Sequence, residues 1–147
     1  MKTRTKALGA SLALAVPAAI AGGAPAAHAS ATGCTAAPGN LGSILCNDTS
    51  GSGRHVDNVQ MRRWSLGANI CRYQSKVWGQ IHGDSGNTTW VSNFQPGCSY
   101  GIAWIDHPLD KDFANCSQIC GSWTEVAFPW WFSAACNQIK LHSWSCL

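Results

Sequence analysis

Eight cysteines, all downstream of an export signal, constrain this chain more than any other feature. The 147-residue sequence opens with basic residues, and an apolar run follows from Ala7 to Ala21 that is too short to cross a bilayer. Ala27-His28-Ala29 matches the A-x-A cleavage pattern, so we expect residues 1–29 to be a signal peptide and residues 30–147 to be secreted. An even number of cysteines in a short exported chain predicts a disulfide framework. The cysteines are Cys34, Cys46, Cys71, Cys98, Cys116, Cys120, Cys136 and Cys146.

The charge balance of the mature chain argues against several partners. Cleavage after Ala29 removes three of the ten Lys and Arg residues, which leaves seven against seven Asp and Glu, a formal charge of zero. No basic stripe remains for nucleic acid, and no polybasic patch or long apolar stretch remains for a membrane. We therefore expect a released extracellular protein without a nucleic-acid partner or membrane anchor. All eight tryptophans lie in the mature chain, and we expect some of them on a contact surface.

Residues 30–55 have a composition of their own. They are rich in small and polar residues and follow neither helical nor strand periodicity. Cys34 and Cys46 enclose a short segment, and the stretch from Asp48 to Gly53 is typical of a flexible joint. We expect an N-terminal extension with a disulfide-closed loop, outside the main domain, that docks on a partner. The expected contact residues are Pro38, Asn40, Leu41, Ile44 and Leu45.

From residue 56 onward the pattern changes to strands. Residues 69–82 alternate between two faces, and turn clusters separate them from expected strands at 88–94 and 98–106. The alternation places Tyr100, Ile102 and Trp104 on one face of the last of these strands. We expect a polar loop over 107–121 and further strands over 122–128 and 134–147. Short strands with regular turns predict an all-β fold, a small disulfide-stapled antiparallel β-sandwich over residues 56–147.

Cysteine connectivity is open at this point, because eight cysteines allow 105 pairings. The expected hairpins favour Cys71 opposite Cys98 and Cys120 opposite Cys136. Local loop closure favours Cys34 with Cys46, which leaves Cys116 for Cys146.

Catalytic and metal motifs are weak. Gly83-Asp-Ser-Gly86 spells the nucleophile signature of trypsin-like proteases, but no histidine stands in a base motif, and a hairpin turn explains the segment. Asp106–Asp112 lacks the ligand spacing of an EF-hand, and the Cys116/Cys120 pair lacks further zinc ligands. We expect no catalytic residue, no metal and no cofactor, so that the protein is not an enzyme.

The segment Phe128-Pro-Trp-Trp-Phe132 is a candidate contact site. Consecutive Trp130 and Trp131 face different ways if the backbone is extended, so at least one ring is expected at the surface. The alternative is that the segment folds back as a lid on the core. The candidate binding residues are Phe128, Trp130, Trp131 and Phe132.

Short motifs from Cys71 onward carry a family resemblance. They are Cys71-Arg-Tyr, Val77-Trp-Gly, Gly97-Cys-Ser, Ala103-Trp-Ile-Asp, Cys120-Gly and Ala135-Cys. With them the chain resembles small exported actinobacterial β-sandwich proteins, nearest to the adaptor subunits of umbrella toxin particles. Those antibacterial assemblies join a stalk protein, adaptors and lectin-like subunits. The resemblance implies an N-terminal extension that docks into a cleft of the lectin-like subunit and a sandwich body that holds the stalk.

Three functions follow as hypotheses. The first is a non-catalytic adaptor in an extracellular, antibacterial toxin complex. The second is a lectin-like carbohydrate-binding module that uses exposed tryptophans. The third is an inhibitor of an exported protease, with the segment Thr35–Leu45 as bait.

Overall fold

The computed structural model describes residues 30–141 and Cys146. The expected signal peptide at 1–29 lies outside the described residues, as does most of the expected strand end after residue 141.

Seven strands and no helix make up the described residues, which confirms the expected all-β class. The strands are β1 Ala31–Ala36, β2 Ile44–Ser52, β3 His55–Gln80, β4 Asn87–Val91, β5 Gln95–Asp112, β6 Gln118–Glu125 and β7 Ala135–Gln138.

No described helix is therefore long and apolar enough to cross a membrane.

One long strand organises the sheet. β3 runs for 26 residues; its first half pairs with β2 and β5. Its second half pairs with the start of β5 at residues 69–73, and then with β6 and β4. Between the halves, the pairing with β5 jumps from Trp64 to Asn69, and Gly67 adopts a positive φ of 67°. Glycine tolerates this conformation without steric cost, so the strand can bend here and belong to two layers.

The sheet curls until its first and last strands meet, which gives a nearly barrel-like shape. The strand order is β1-β2-β3-β6-β7, and all pairings are antiparallel. At the junction the Asn137 amide donates to the carbonyls of Ala31 (3.1 Å) and Asn47 (2.9 Å). A Cβ on Gly33 would lie 2.1 Å from the carbonyl oxygen of Cys136, so only glycine permits this approach.

The core fills the space between the two layers. Trp123 is fully buried and stacks on Tyr73 with 4.9 Å between ring centroids. Met61 packs over Gly121, where any Cβ would overlap its sulfur. The remaining core side chains are mostly aliphatic: Leu45, Val56, Val59, Ile70, Val77, Ala103, Ile105, Leu109, Phe113, Ile119, Phe132, Ala135 and Ile139.

Four disulfides staple the fold, and they match the pairings that the sequence favoured. Three join residues directly opposite each other on paired strands: Cys34–Cys46, Cys71–Cys98 and Cys120–Cys136. The fourth, Cys116–Cys146, ties the β5–β6 connection to the end of the chain. None of the described cysteines is free.

The prediction that residues 30–55 form an N-terminal extension outside the main domain is wrong. Its residues form β1, β2 and the start of β3, and β2 pairs with β3 along its whole length. Leu45 and Asn47 are fully buried, and the Asn47 amide donates to the carbonyls of Ile119 and Ala135. Of the expected flexible joint at 48–53, residues 48–52 belong to β2, and Gly53 lies in the turn between β2 and β3. The segment resembled a loop because β2 faces the interior with the polar Asn47 and Thr49 as well as with Leu45.

The expected loop over 107–121 also needs correction. β5 continues to Asp112, and β6 begins at Gln118, so only a short connection remains between them. His107, Leu109 and Phe113 point inward and are buried. The alternation of buried and exposed side chains continues along β5 through this segment, and Pro108 and the charged residues lie on the outer side of the strand.

We predict that deletion of residues 30–53 prevents folding of the oxidised protein. The deletion removes β1 and β2, uncovers Val59 and Met61, and leaves the first half of β3 unpaired on one side. Amide NMR spectra of the variant should lack native dispersion. A variant with Cys34→Ser and Cys46→Ser is the control. It should keep the native spectrum, and its free energy of unfolding should fall by about 2–3 kcal/mol, as expected for a short disulfide loop. A well-dispersed spectrum of the deletion variant would contradict the integral role of β1 and β2.

Candidate functional site

The outward side of the β3–β5 ribbon carries large apolar side chains. Successive residues of a strand point to opposite faces. Ala103 and Ile105 face the core, which turns Tyr100, Ile102 and Trp104 outward. Tyr100 is 72% exposed and Trp104 is 54% exposed. We name the whole group the outer aromatic face: Trp64, Leu66, Tyr100, Ile102 and Trp104.

Strand register brings these side chains together. Trp64 lies opposite Ile102, and Trp104 lies opposite Arg62, so the two indoles are diagonal neighbours. The Arg62 guanidinium lies 5.3 Å from the centroid of the Trp64 ring and 2.7 Å from a carboxylate oxygen of Asp48. These contacts orient the Trp64 indole and neutralise the charge of Arg62.

The β1–β2 loop at residues 37–43 extends this face. The Asn40 amide donates to the carbonyl of Leu66 at 3.1 Å, and Gly42 packs on the Leu66 side chain. Leu41 is almost fully exposed, and Ile44 lies opposite Trp64 in the register. Of the five residues expected to bind a partner here, Asn40, Leu41 and Ile44 thus border the outer aromatic face.

The other two residues of that set, Pro38 and Leu45, make contacts within the fold. The carbonyl of Pro38 accepts a hydrogen bond from Arg63. Leu45 is fully buried in the core, so the prediction that it contacts a partner is wrong. It points inward because it lies opposite Arg63, on the core side of the β2–β3 pair.

A buried charge pair holds the loop and β3 in place. The Arg63 guanidinium also donates to the carbonyl of Trp64 and lies 3.5 Å from a carboxylate oxygen of Glu125. Both side chains are buried. Burial lowers the pKa of Arg63 and raises the pKa of Glu125, and their mutual attraction opposes both shifts. A buried pair of this kind tolerates the loss of neither partner.

The segment 128–132 divides between core and surface. Phe132 is buried, so the prediction that it contacts a partner is wrong. Phe128 is half-buried and meets both Phe132 and Trp130 edge-on, at 6.1 and 5.6 Å between centroids. Trp130 and Trp131 are exposed, and the Lys76 ammonium lies 4.2 Å from the Trp131 ring centroid. The segment therefore covers the core and also presents two indoles.

The protease-like motif lies in the turn between β3 and β4, as its composition indicated. Among the described residues, the close serine–histidine pair is instead Ser75 Oγ and His107 Nε2, 2.7 Å apart. Ser75 is fully buried, and within the described residues no carboxylate accepts a hydrogen bond from the other ring nitrogen of His107. The pair lacks the reachable nucleophile and the orienting acid of a catalytic triad.

A second polar cluster joins the start of β3 to the end of β5. His55 Nδ1 lies 2.9 Å from Asp112, and Nε2 lies 3.0 Å from Asp110 and 3.4 Å from Asp57. The hydrogen bond to Asp112 is the main cause that raises the pKa of His55. Ligand atoms of His55, Asp57 and Asp110 lie within 4.8 Å of one another, a donor set that can hold a divalent cation. The sequence did not indicate this group because His55 is remote from Asp110 along the chain.

Comparison with known proteins found no relative. No family model matches the chain, and neither does a curated protein or a solved structure. The resemblance to umbrella-particle adaptors therefore stays a prediction.

We predict that His107 makes stability depend on pH. Burial lowers the pKa of His107 in the folded state below the unfolded value of 6.5. The unfolded chain then binds more protons, so this contribution is complete above pH 6.5 and is lost as pH falls toward the folded pKa. The raised pKa values of His55 and Glu125 change the pH dependence of stability in the opposite direction. The contribution of His107 is therefore obtained from the difference in the free energy of unfolding between the wild type and a His107 variant.

Urea unfolding of the wild type and His107→Gln at pH 5, 6 and 7 measures that difference. The wild type should lose its stability advantage as pH falls, by at most about 1.4 kcal/mol per pH unit, the limit for one proton. An advantage that is constant from pH 7 to pH 5 would contradict the assignment.

Proposed function

We propose that this chain is a non-catalytic, secreted interaction protein whose outer aromatic face contacts another exported protein. One observation carries the proposal: Trp64, Leu66, Tyr100, Ile102 and Trp104 are exposed together on one pair of strands. Large contiguous apolar patches are rare on proteins without partners. Tryptophan and tyrosine are also the residues that contribute most often to binding hot spots.

The composition of the face favours a protein partner. Leu66 and Ile102 lie among the aromatic rings, and Leu41 is exposed on the neighbouring loop, where Gly42 packs on Leu66. Aliphatic side chains of this kind fill pockets of a protein surface. At the margin, Arg62 is paired with Asp48, and Asp106 accepts hydrogen bonds from two amides. An apolar centre with a polar rim is typical of protein interfaces.

The face is also rigid. Trp64 and Ile102 lie at paired positions of β3 and β5, as does Trp104, and Cys71–Cys98 joins the two strands close to Tyr100. A preorganised surface loses little conformational entropy on binding, which leaves more of the contact energy as affinity. The four disulfides are consistent with an oxidising, exported environment.

The adaptor hypothesis takes a modified form in this proposal. The resemblance implies a lectin-like subunit and a stalk protein as partners. Because residues 30–55 belong to the sheet, we place the partner contact on the outer aromatic face and the adjoining loop rather than on a free arm.

We predict that Tyr100→Ala with Trp104→Ala removes partner binding and leaves the fold intact. Both side chains are more than half exposed, so their loss costs the core little. Pull-down from the culture supernatant of the producing organism, followed by binding curves with the purified partner, measures the effect. Truncation of hot-spot residues should weaken binding by about tenfold or more.

Trp130→Ala is the matched control, because it removes an equally exposed indole from another surface. It should bind as the wild type does. A partner that binds the double variant as tightly as the wild type would contradict the proposal, provided that the melting temperatures agree.

A further inference from the structure

A cleft of about 360 Å³ opens between β4 and β5. In the part of the chain that the structure describes, β4 and β5 each pair only with β3. Their facing sides are therefore unpaired, and a seam remains that gives access toward the core. The polar and aromatic residues that line it are Trp90, Ser92, Asn93, Gln95, Asp106 and His107.

One wall of the cleft is an indole held in place by the core. Trp90 is half-buried, and its ring packs against Phe113 with 6.0 Å between centroids. Ile105 and Leu109, both buried core residues, continue this apolar side. An aromatic ring fixed at the edge of a cleft offers a flat surface to the apolar face of a ring-shaped ligand.

An oriented carboxylate lies at the cleft as well. Asp106 Oδ1 accepts hydrogen bonds from the amides of Asn58 (3.1 Å) and Gln60 (3.0 Å). Within the described residues, Oδ2 accepts none. The two amides fix the rotamer, so Oδ2 is a preorganised acceptor for hydroxyl groups.

His107 adds a buried polar group without a full set of partners. Its side chain is 5% exposed and lines the cleft, and Nε2 is hydrogen-bonded to Ser75. The other ring nitrogen has no hydrogen-bond partner among residues 30–141 and Cys146. In this cleft a ligand hydroxyl can supply a hydrogen-bond partner for that nitrogen.

We propose that this cleft binds a single neutral pyranose, as a free sugar or as a residue of a glycan. The volume lies near the lower end for ligand pockets, which suits one sugar ring rather than a larger ligand. Trp90 stacks on the apolar face of the ring, and Asp106, Asn93 and His107 bond its hydroxyl groups. The Asp106 carboxylate repels anionic sugars. The site adjoins the outer aromatic face at Asp106, but its other lining residues lie outside that face, and it holds whether or not that face binds a protein.

Titrations with free sugars test the site directly. The probes are D-galactose and N-acetyl-D-glucosamine, with N-acetylneuraminic acid as the anionic control, followed by amide and indole NMR resonances. A neutral sugar should give saturable shifts at Trp90, Asn93 and Gln95, and the anionic sugar should give none. Triacetylchitotriose distinguishes a free sugar from a residue of a glycan. Trp104 precedes Asp106 by two residues on the same side of β5, so shifts that extend to Trp104 indicate a glycan chain. Shifts confined to the cleft indicate a single sugar.

Two exposed variants keep the test independent of folding. Asp106→Asn and Asn93→Ala should each weaken binding, the first by about tenfold or more, as expected when a hydrogen bond to a charged group is lost. Asp84→Asn removes another exposed carboxylate, in the turn between β3 and β4, and should bind as the wild type does. The proposal is overturned by any of three results: no saturable shift with either neutral sugar, shifts restricted to Trp64 and Trp104, or unchanged affinity of Asp106→Asn.

Discussion

Three disulfides that join directly opposite residues fix the strand register on which the rest of this structure depends. Cys34–Cys46, Cys71–Cys98 and Cys120–Cys136 connect Cα atoms only 4.0–4.1 Å apart. The side-chain period of a strand is two, so a slip of one residue exchanges the two faces. Such a slip of β3 would bury Trp64 and expose Arg63, and a slip of β5 would bury Trp104 and expose Ala103. The covalent pairing excludes that arrangement, and it thereby determines which side chains reach solvent.

Buried polar groups add specificity to this frame. The Asn137 amide contacts Asn47 and Thr49, which joins β7 to β2 where the sheet closes. Across the core, Arg63 and Glu125 connect β3 to β6 and to the β1–β2 loop. Each group costs free energy if it is left unpaired, so these contacts favour one closed arrangement over other packings of the same strands. They also hold the loop that borders the outer aromatic face.

The sequence predicted those features that depend on local spacing. Turn clusters placed Cys71 opposite Cys98 and Cys120 opposite Cys136, and strict alternation put Tyr100, Ile102 and Trp104 on one face. The sequence failed where tertiary contacts override composition. β2 carries Asn47 and Thr49 toward the interior, where partners from distant strands satisfy them, so its pattern lacked the expected apolar alternation. Trp64 and Leu66 went unnoticed for a related reason, since their position beside β5 is a long-range pairing. The cleft at Trp90 and Asp106 likewise exists only because β4 and β5 both pair with β3.

The disulfide-fixed register separates an exposed aromatic face from the buried core, and hydroxyl-radical footprinting with mass spectrometry measures this separation residue by residue. Trp104 and Tyr100 should be oxidised rapidly in the native protein, whereas the fully buried Trp123 should be protected. Reduction and alkylation of the cysteines should abolish this contrast, because the register is then no longer held covalently. Equal oxidation of Trp104 and Trp123 in the native protein, or an unchanged contrast after reduction, would contradict the account.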